Sequence, residues 1–295
     1  MSSEKPPATH FFTVDVEEHF QVQALESVVS RDDWLLQPSR VAQSTDAILE
    51  SLSRHGVRGT FFVLGWLADH RPEVVRSISR AGHEVASHGF SHRRVTHLTP
   101  DAFRDEVRSS KRALEDLTGD VVNGYRAPSF SIVPGLEWAF DVLVEEGYSY
   151  DSSLFPIRRP GYGYASAPRA PYLMRRPAGS LAEFPLATTN FFRFPVPAAG
   201  GGYLRQLPLG VIRRAFREAG QRGESATFYI HPWEVDAEQP RLPVSPITYL
   251  RHYRGLETTM SKLETLLTEF RFAPIGSALS RFVGPGQTLH SVGVA

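Results

Sequence analysis

Residues 10–18 read HFFTVDVEE, a run of aromatic and β-branched residues followed by a cluster of carboxylates. Phenylalanine, threonine and valine favour a strand, so the acids lie where that strand is expected to end. The same arrangement recurs further along the chain: Asp15 ends the first run, and His88, Arg126, Asp151 and His231 end or follow four others. Such residues gather at the carboxyl ends of strands in parallel α/β proteins, which is where those proteins carry their active sites.

Seven β-rich runs alternate with segments of helical period. The runs are 10–15, 59–64, 83–87, 121–125, 148–151, 226–230 and 272–275. The expected helices are 39–54, 72–81, 99–117, 134–146, 208–219 and 247–270. Strands that alternate with helices predict a parallel α/β architecture, and seven in simple succession favour a barrel.

The pattern predicts one catalytic domain over 10–280, flanked by a flexible tail at 1–9 and a C-terminal tail at 281–295. Residues 152–205 interrupt the alternation with a segment rich in Pro, Gly, Arg and Tyr, and are expected to hold at most one short strand, at 183–186. Insertions of this length in a compact domain are usually functional.

The chain has 32 basic and 32 acidic residues among 295, no cysteine, and no apolar run at its N-terminus. A zero net charge argues against a nucleic-acid partner. The absence of cysteine excludes disulfides and thiol nucleophiles. We therefore expect a cytoplasmic protein with no transmembrane segment, and peripheral membrane association stays open.

A metal site is suggested by SHGFSH, in which His88 and His92 are four residues apart. On a helical turn both imidazoles would project from one face and share a metal, with a third, anionic ligand from the acidic cluster. Asp15 and Glu17 are two residues apart and so point to the same side of a regular strand. Each candidate also has an ordinary structural explanation, and a chain with 11 histidines offers chance pairs.

Taken in order, these segments resemble the five motifs of the polysaccharide deacetylase family, also called the NodB-homology family or carbohydrate esterase family four. The matching segments are TVDVEE; TFFVLG with AGHEVASHGFSH; GYRAPSF; YDSS; and FYIHP. VDVEEHF and the segment around FFRFPVPAAGGGYLR further resemble the subfamily associated with exosortase and exopolysaccharide gene systems. The resemblance implies a distorted (β/α)7 barrel of the NodB-homology type.

The resemblance also implies roles for individual residues. His88, His92 and Glu17, with Glu18 as the alternative third ligand, would hold Zn²⁺ or another divalent metal, because Val16 stands where the family commonly has a second aspartate. Asp15 would be the base, Arg126 its partner, His231 the acid and Asp151 a support for His231 or Arg126. The backbone N–H of Ser129, at a position where many members carry an aromatic residue, would stabilise the oxyanion. Trp233, Phe130 and Tyr162 are the candidate substrate contacts.

The activity implied is removal of N-acetyl groups from amino sugars of a polysaccharide, oligosaccharide or glycan precursor in exopolysaccharide biosynthesis. Two alternatives remain. One is a hydrolase of the same fold that acts on another non-peptide C–N bond, as in cyclic imides or allantoin. The other is a carbohydrate-binding protein without catalysis. The presence of both His88 and His92 counts against the first, and the presence of Asp15 and His231 counts against the second.

Overall fold

The computed structural model describes residues 8–159, 161–192 and 194–283. Its strands are β1 Thr9–Val16, β2 Thr60–Val63, β3 Glu84–Ser87, β4 Gly124–Tyr125, β5 Tyr150–Asp151, β6 Tyr172–Arg176, β7 Gly179–Glu183, β8 Thr188–Phe191, β9 Phe194–Pro197, β10 Thr227–Ile230 and β11 Arg271–Ala273. Its α-helices are α1 Val41–Arg54, α2 Gly65–His70, α3 Pro72–Arg80, α4 Pro100–Thr118, α5 Trp138–Glu145, α6 Gly202–Gln206, α7 Leu209–Gln221, α8 Pro246–Tyr253, α9 Leu256–Glu269 and α10 Ser280–Val283.

Seven parallel strands form the wall of a barrel, in the order β10-β1-β2-β3-β4-β5-β7. The ring closes just beyond β7, where Leu186 forms a parallel bridge to Thr227 of β10 and the amide of Ala187 donates to the Thr227 carbonyl at 3.0 Å. Because this closure is an isolated bridge rather than a full ladder, the barrel is distorted. The predicted α/β barrel is confirmed.

The position of the seventh wall strand was predicted wrongly. The expected run at 272–275 forms β11, which pairs with the start of β1 and lies off the path around the ring. The wall strand is instead β7, from the segment 152–205, which holds four strands rather than one. Its sequence, GSLAE, contains a single large apolar residue and no β-branched one, so it lacks the usual signature of a strand.

The expectation of one long helix at 247–270 was also wrong, because the structure has two helices there, α8 and α9. They separate at Gly255, whose φ of 81° is left-handed and so cannot continue a helix. Helix α4 follows its pattern closely: the Thr99 hydroxyl accepts from the Ala102 amide at 3.3 Å, and Gly119 ends it at φ 74°.

The tails fall largely outside the described residues, which omit 1–7 and 284–295. Of the expected tail segments that are described, Thr9 already belongs to β1, and the helix α10 runs into the start of the predicted C-terminal tail. No helix in the described part of the chain combines the length and apolar character needed to cross a bilayer.

Two buried histidines predict acid sensitivity. Nδ1 of His10 accepts the Ala226 amide at 3.2 Å and Nδ1 of His83 accepts the Gly59 amide at 3.1 Å, so both must stay unprotonated there. Burial lowers the pKa of each from 6.5 to about 4. Their contribution to stability is complete above pH 6.5 and falls toward pH 4, by roughly 1.4 kcal/mol per histidine and pH unit.

We expect the free energy of unfolding, measured by urea denaturation, to decrease between pH 6.5 and 4. His83→Asn, whose side-chain oxygen can still accept from Gly59, should make that decrease shallower. A pH-independent stability over this range would contradict the explanation.

Candidate active site

The carboxyl ends of the wall strands surround a cavity of about 170 Å³. Its lining consists of Asp15, Glu17, Val22, Gln23, His88, His92, Ser129, Phe130, His231 and Trp233. A larger groove, of about 850 Å³, lies around the start of β1 and contains none of the predicted site residues. The chemistry-bearing residues therefore lie in the smaller cavity.

Glu17, His88 and His92 form a buried cluster whose ligand atoms all lie within 4.8 Å of one another. Nδ1–H of His88 donates to the Arg126 carbonyl at 2.9 Å, which leaves Nε2 as the bare nitrogen. Burial lowers the pKa of His88 to about 4 and so keeps it neutral, as a metal ligand must be. Two imidazoles and a carboxylate match the donor set of a divalent metal.

The two adjacent glutamates point in different directions. Oε2 of Glu17 lies 2.7 Å from Nε2 of His92. Glu18 instead caps helix α1, because its carboxylate accepts from the Arg40 amide at 3.0 Å and from the Ser39 hydroxyl. Glu17 is thus the carboxylate that faces the two histidines.

Asp15 is buried and paired with Arg126, whose Nη1 donates to Oδ1 at 2.5 Å. Arg126 is fully buried and also donates to the Thr13 hydroxyl at 2.7 Å and to the Ser152 carbonyl at 3.0 Å. The guanidinium is therefore fixed from several sides, and it forms a buried ion pair with Asp15.

His231 faces the cavity through Nε2, which lies 4.0 Å from Asp15 Oδ2 and 3.6 Å from Glu17 Oε1. Its Nδ1 lies 3.0 Å from Oε2 of Glu234, and its backbone amide donates to the same oxygen at 3.1 Å. Burial opposes charge on this imidazole, but Glu17, Glu234 and Asp15 together raise the pKa of His231 to about 9.

Trp233 was predicted as a substrate contact, and it also contacts Glu17 of the candidate metal cluster. Its indole N–H donates to Oε1 of Glu17 at 3.1 Å, which leaves Oε2 toward the histidines. The indole stacks on the His231 imidazole. It also stacks on the His252 imidazole, with 4.4 Å between the ring centroids. His252 is itself buried beneath this tryptophan.

Asp151 lies away from His231. Its carboxylate accepts from the Ser153 amide at 2.9 Å and hydroxyl at 2.6 Å, and Ser153 in turn accepts from the Ala127 amide at 2.8 Å. Burial raises the pKa values of Asp151 and its neighbour Glu183. Asp151 thus supports the backbone that follows Arg126, and the hydrogen bonds of the described residues do not join it to His231.

The remaining predicted residues divide between the cavity and its surroundings. Ser129 and Phe130 line the cavity with left-handed backbones, at φ 55° and 52°. Tyr162 is outside the cavity lining, and its hydroxyl lies 2.7 Å from that of Tyr203.

Three residues of this region were not predicted as site residues: Glu183, Arg205 and Glu234. Glu234 follows His231 by three residues in HPWE, a spacing that allows a side chain to reach back to a histidine in a tight turn. Arg205 donates to Oε1 of Glu234 at 2.7 Å, and no local pattern connects the two.

Comparisons with known proteins bear on both halves of the chain. Residues 32–135 match the family model described as polysaccharide deacetylase, and residues 152–280 match a domain of unknown function, DUF3473. A peptidoglycan-N-acetylglucosamine deacetylase from Bacillus cereus is 32% identical over 96 residues, which are 32% of this chain and 35% of that protein. The aligned segment thus spans about a third of the relative's length.

Solved structures share the fold over nearly the whole chain. A Mycobacterium smegmatis protein assigned as a polysaccharide deacetylase superposes with a TM-score of 0.66 at 20% identity, covering 98% of this chain and 96% of that one. The PuuE allantoinase superposes with a TM-score of 0.62 at 15% identity, covering 95% and 93%. Likeness at these identities establishes the fold alone. Residues 32–135 thus resemble the polysaccharide deacetylase family, and the fold is shared over nearly the whole chain.

Proposed function

We propose that the chain is a metal-dependent hydrolase that removes N-acetyl groups from amino sugars of a polysaccharide or glycan precursor. The observation that carries this proposal is the cavity itself, where Asp15 and His231 flank the Glu17, His88 and His92 cluster. The Bacillus relative's name, which specifies an N-acetylglucosamine deacetylase, supports the same bond as substrate.

The catalytic domain in this proposal extends over 10–280. Residues 152–280 are not a separate module here, because they supply the wall strands β7 and β10 and the acid His231. The resemblance of VDVEEHF and FFRFPVPAAGGGYLR supports a place in exopolysaccharide biosynthesis. We further propose a cytoplasmic site of action, on a nucleotide-linked or lipid-linked glycan or on a growing exopolysaccharide at the inner membrane face.

The cluster fits a divalent metal by its own geometry. Oε2 of Glu17 is buried without a hydrogen-bond partner among the described residues, although it lies 2.7 Å from a histidine nitrogen. Two ring nitrogens and a carboxylate are a donor set that zinc favours. When bound there, such an ion would acidify a water molecule and polarise the acetamide carbonyl.

The chain's own residues then divide the proton transfers. Asp15, which is paired with Arg126, takes a proton from the attacking water. Ser129 lines the cavity, and its backbone N–H would donate to the developing oxyanion. His231, whose Nδ1 is bonded to Glu234 and whose Nε2 faces the cavity, gives a proton to the departing amine nitrogen, because an amine leaves far more readily once protonated.

The cavity volume suits an acetamido group better than a whole sugar. At about 170 Å³ it is smaller than the ~300–1,000 Å³ typical of pockets for drug-sized ligands, so the remainder of the glycan would lie outside it. Phe130 and Trp233 offer apolar wall toward the acetyl methyl. Tyr162 lies outside this lining, so in this proposal it contacts the part of the glycan that lies outside the cavity.

The decisive experiment measures acetate release from N-acetylglucosamine oligomers by purified protein, with chelator and then with zinc restored. We expect release that depends on metal and is lost in His88→Ala. Allantoin and cyclic imides serve as competing substrates, and their turnover without acetate release would favour the alternative hydrolase. Oligomer binding without turnover of either class would favour a carbohydrate-binding protein.

A further inference from the structure

The segment Ala198–Arg205, AAGGGYLR, lies against β10 just before His231 and is here called the glycine strap. The Tyr229 amide donates to the Ala199 carbonyl at 2.7 Å, and the Gly201 amide donates to the Tyr229 carbonyl at 2.9 Å. The strap therefore forms backbone hydrogen bonds with β10, the strand that directly precedes His231. It lies outside the matched deacetylase segment 32–135.

Glycine is required where the strap touches β10. A Cβ on Gly200 would lie 1.9 Å from the Tyr229 carbonyl oxygen, and one on Gly201 would lie 2.6 Å from the Tyr229 ring. Both residues also have positive φ, 119° and 56°, which disfavours other side chains. This close approach brings the start of α6, and with it Arg205, next to the residues that follow β10.

Arg205 is buried and held on every side. Its Nε donates to Oε1 of Glu234 at 2.7 Å, while Nη1 donates to the carbonyls of His252 and Arg254 at 2.8 and 3.0 Å. Its guanidinium carbon lies 5.1 Å from the Trp233 ring centroid. The other oxygen of Glu234 is the one that receives His231.

We propose that Arg205 is a positioning residue for the acid His231 and that it acts through Glu234. The glycine strap places Arg205 beside Glu234. This inference rests on the proposed function. A buried ion pair contributes little net stability, because desolvation of both charges offsets their attraction. What the pair does supply is a carboxylate with one fixed orientation. That carboxylate holds Nδ1 of His231 and directs Nε2 into the cavity.

The test compares two substrates that differ in their need for an acid. An N-acetyl amine requires protonation of the leaving nitrogen, whereas 4-nitrophenyl acetate releases a stable phenolate and does not. We expect Arg205→Met to lower kcat for the amide by roughly 10- to 100-fold, as loss of an outer-shell partner does, and to change ester hydrolysis by less than about threefold. Arg205→Lys, which keeps a charge near Glu234, should recover part of the amide activity.

Arg213→Met is the matched control, because Arg213 pairs with Glu269 between helices α7 and α9, away from the cavity. It should leave both activities unchanged. Equal losses of amide and ester activity in both Arg205 variants would show a merely structural role and overturn the proposal, as would an unchanged amide kcat.

A second readout does not depend on activity. The Nδ1–H proton of His231, bonded to buried Glu234, should give a protected NMR resonance in the full chain and in Arg213→Met, and should exchange rapidly in Arg205→Met. Persistence of that resonance in Arg205→Met would overturn the positioning role even in a protein that hydrolyses neither substrate. Failure of the wild-type chain to hydrolyse either substrate would instead count against the proposed function.

Discussion

Asp15→Asn is expected to lower acetate release by roughly 10²–10⁴-fold, the usual loss when a general base is removed. The Asp15 carboxylate is buried beside the candidate metal ligands, and Arg126 donates to it at 2.5 Å. Among the described residues, no other carboxylate forms an ion pair with Arg126. Bound metal should remain, because the three ligand atoms come from Glu17, His88 and His92.

The same substitution should cost stability, since Arg126 is left buried without its counter-charge. Breaking a buried ion pair from one side costs about 3–5 kcal/mol, partly offset here by the hydrogen bonds from Arg126 to Thr13 and Ser152. Acetate release, metal content and thermal unfolding are therefore measured together. Asp141→Asn, in the half-buried pair with Arg176, is the control and should leave activity intact.

Two outcomes would change the assignment of Asp15. A folded Asp15→Asn protein that loses its metal would make Asp15 a ligand rather than the base. A folded, metal-loaded protein with wild-type acetate release would remove Asp15 from the chemistry.

Six of the seven wall strands were predictable because each is a short, β-rich run, and five of the six end in or are followed by a charged or histidine residue. The seventh, β7, pairs in parallel with β5 and in antiparallel with β6, and its sequence GSLAE gives little local signal. Its place depends on contacts between segments far apart in sequence. The same limit explains β11, which has strand character but pairs with the start of β1, off the barrel path.

The meeting of candidate residues at one end of the barrel was also predictable, because parallel strands align their carboxyl ends. The partners of those residues were not. Asp151 and His231 follow neighbouring motifs, but Asp151 bonds Ser153 and His231 bonds Glu234. Arg205 reaches Glu234 only because the strap lies on β10, a contact that depends on backbone packing rather than on any spacing in the sequence.

The choice between Glu17 and Glu18 shows how finely this site depends on side-chain direction. The sequence left either available as the third ligand. In the structure, the Trp233 indole holds one oxygen of Glu17 at 3.1 Å and turns the other toward His92, while Glu18 caps helix α1. Two isosteric substitutions at adjacent positions therefore test ligand and cap separately.

Glu17→Gln should weaken metal binding by more than the ~10–100-fold that loss of an outer-shell partner costs, because it removes the anionic ligand itself. Glu18→Gln should leave metal affinity within a few-fold, and because its amide oxygen can still accept from the Arg40 amide, it should lower stability by less than the roughly 0.5–2 kcal/mol of a lost helix cap. Isothermal titration with Zn²⁺ and urea denaturation measure the two effects independently of any substrate. Loss of metal in Glu18→Gln with retention in Glu17→Gln would reverse the assignment. Equal losses in both would mean that the strand end, rather than one carboxylate, sets the affinity.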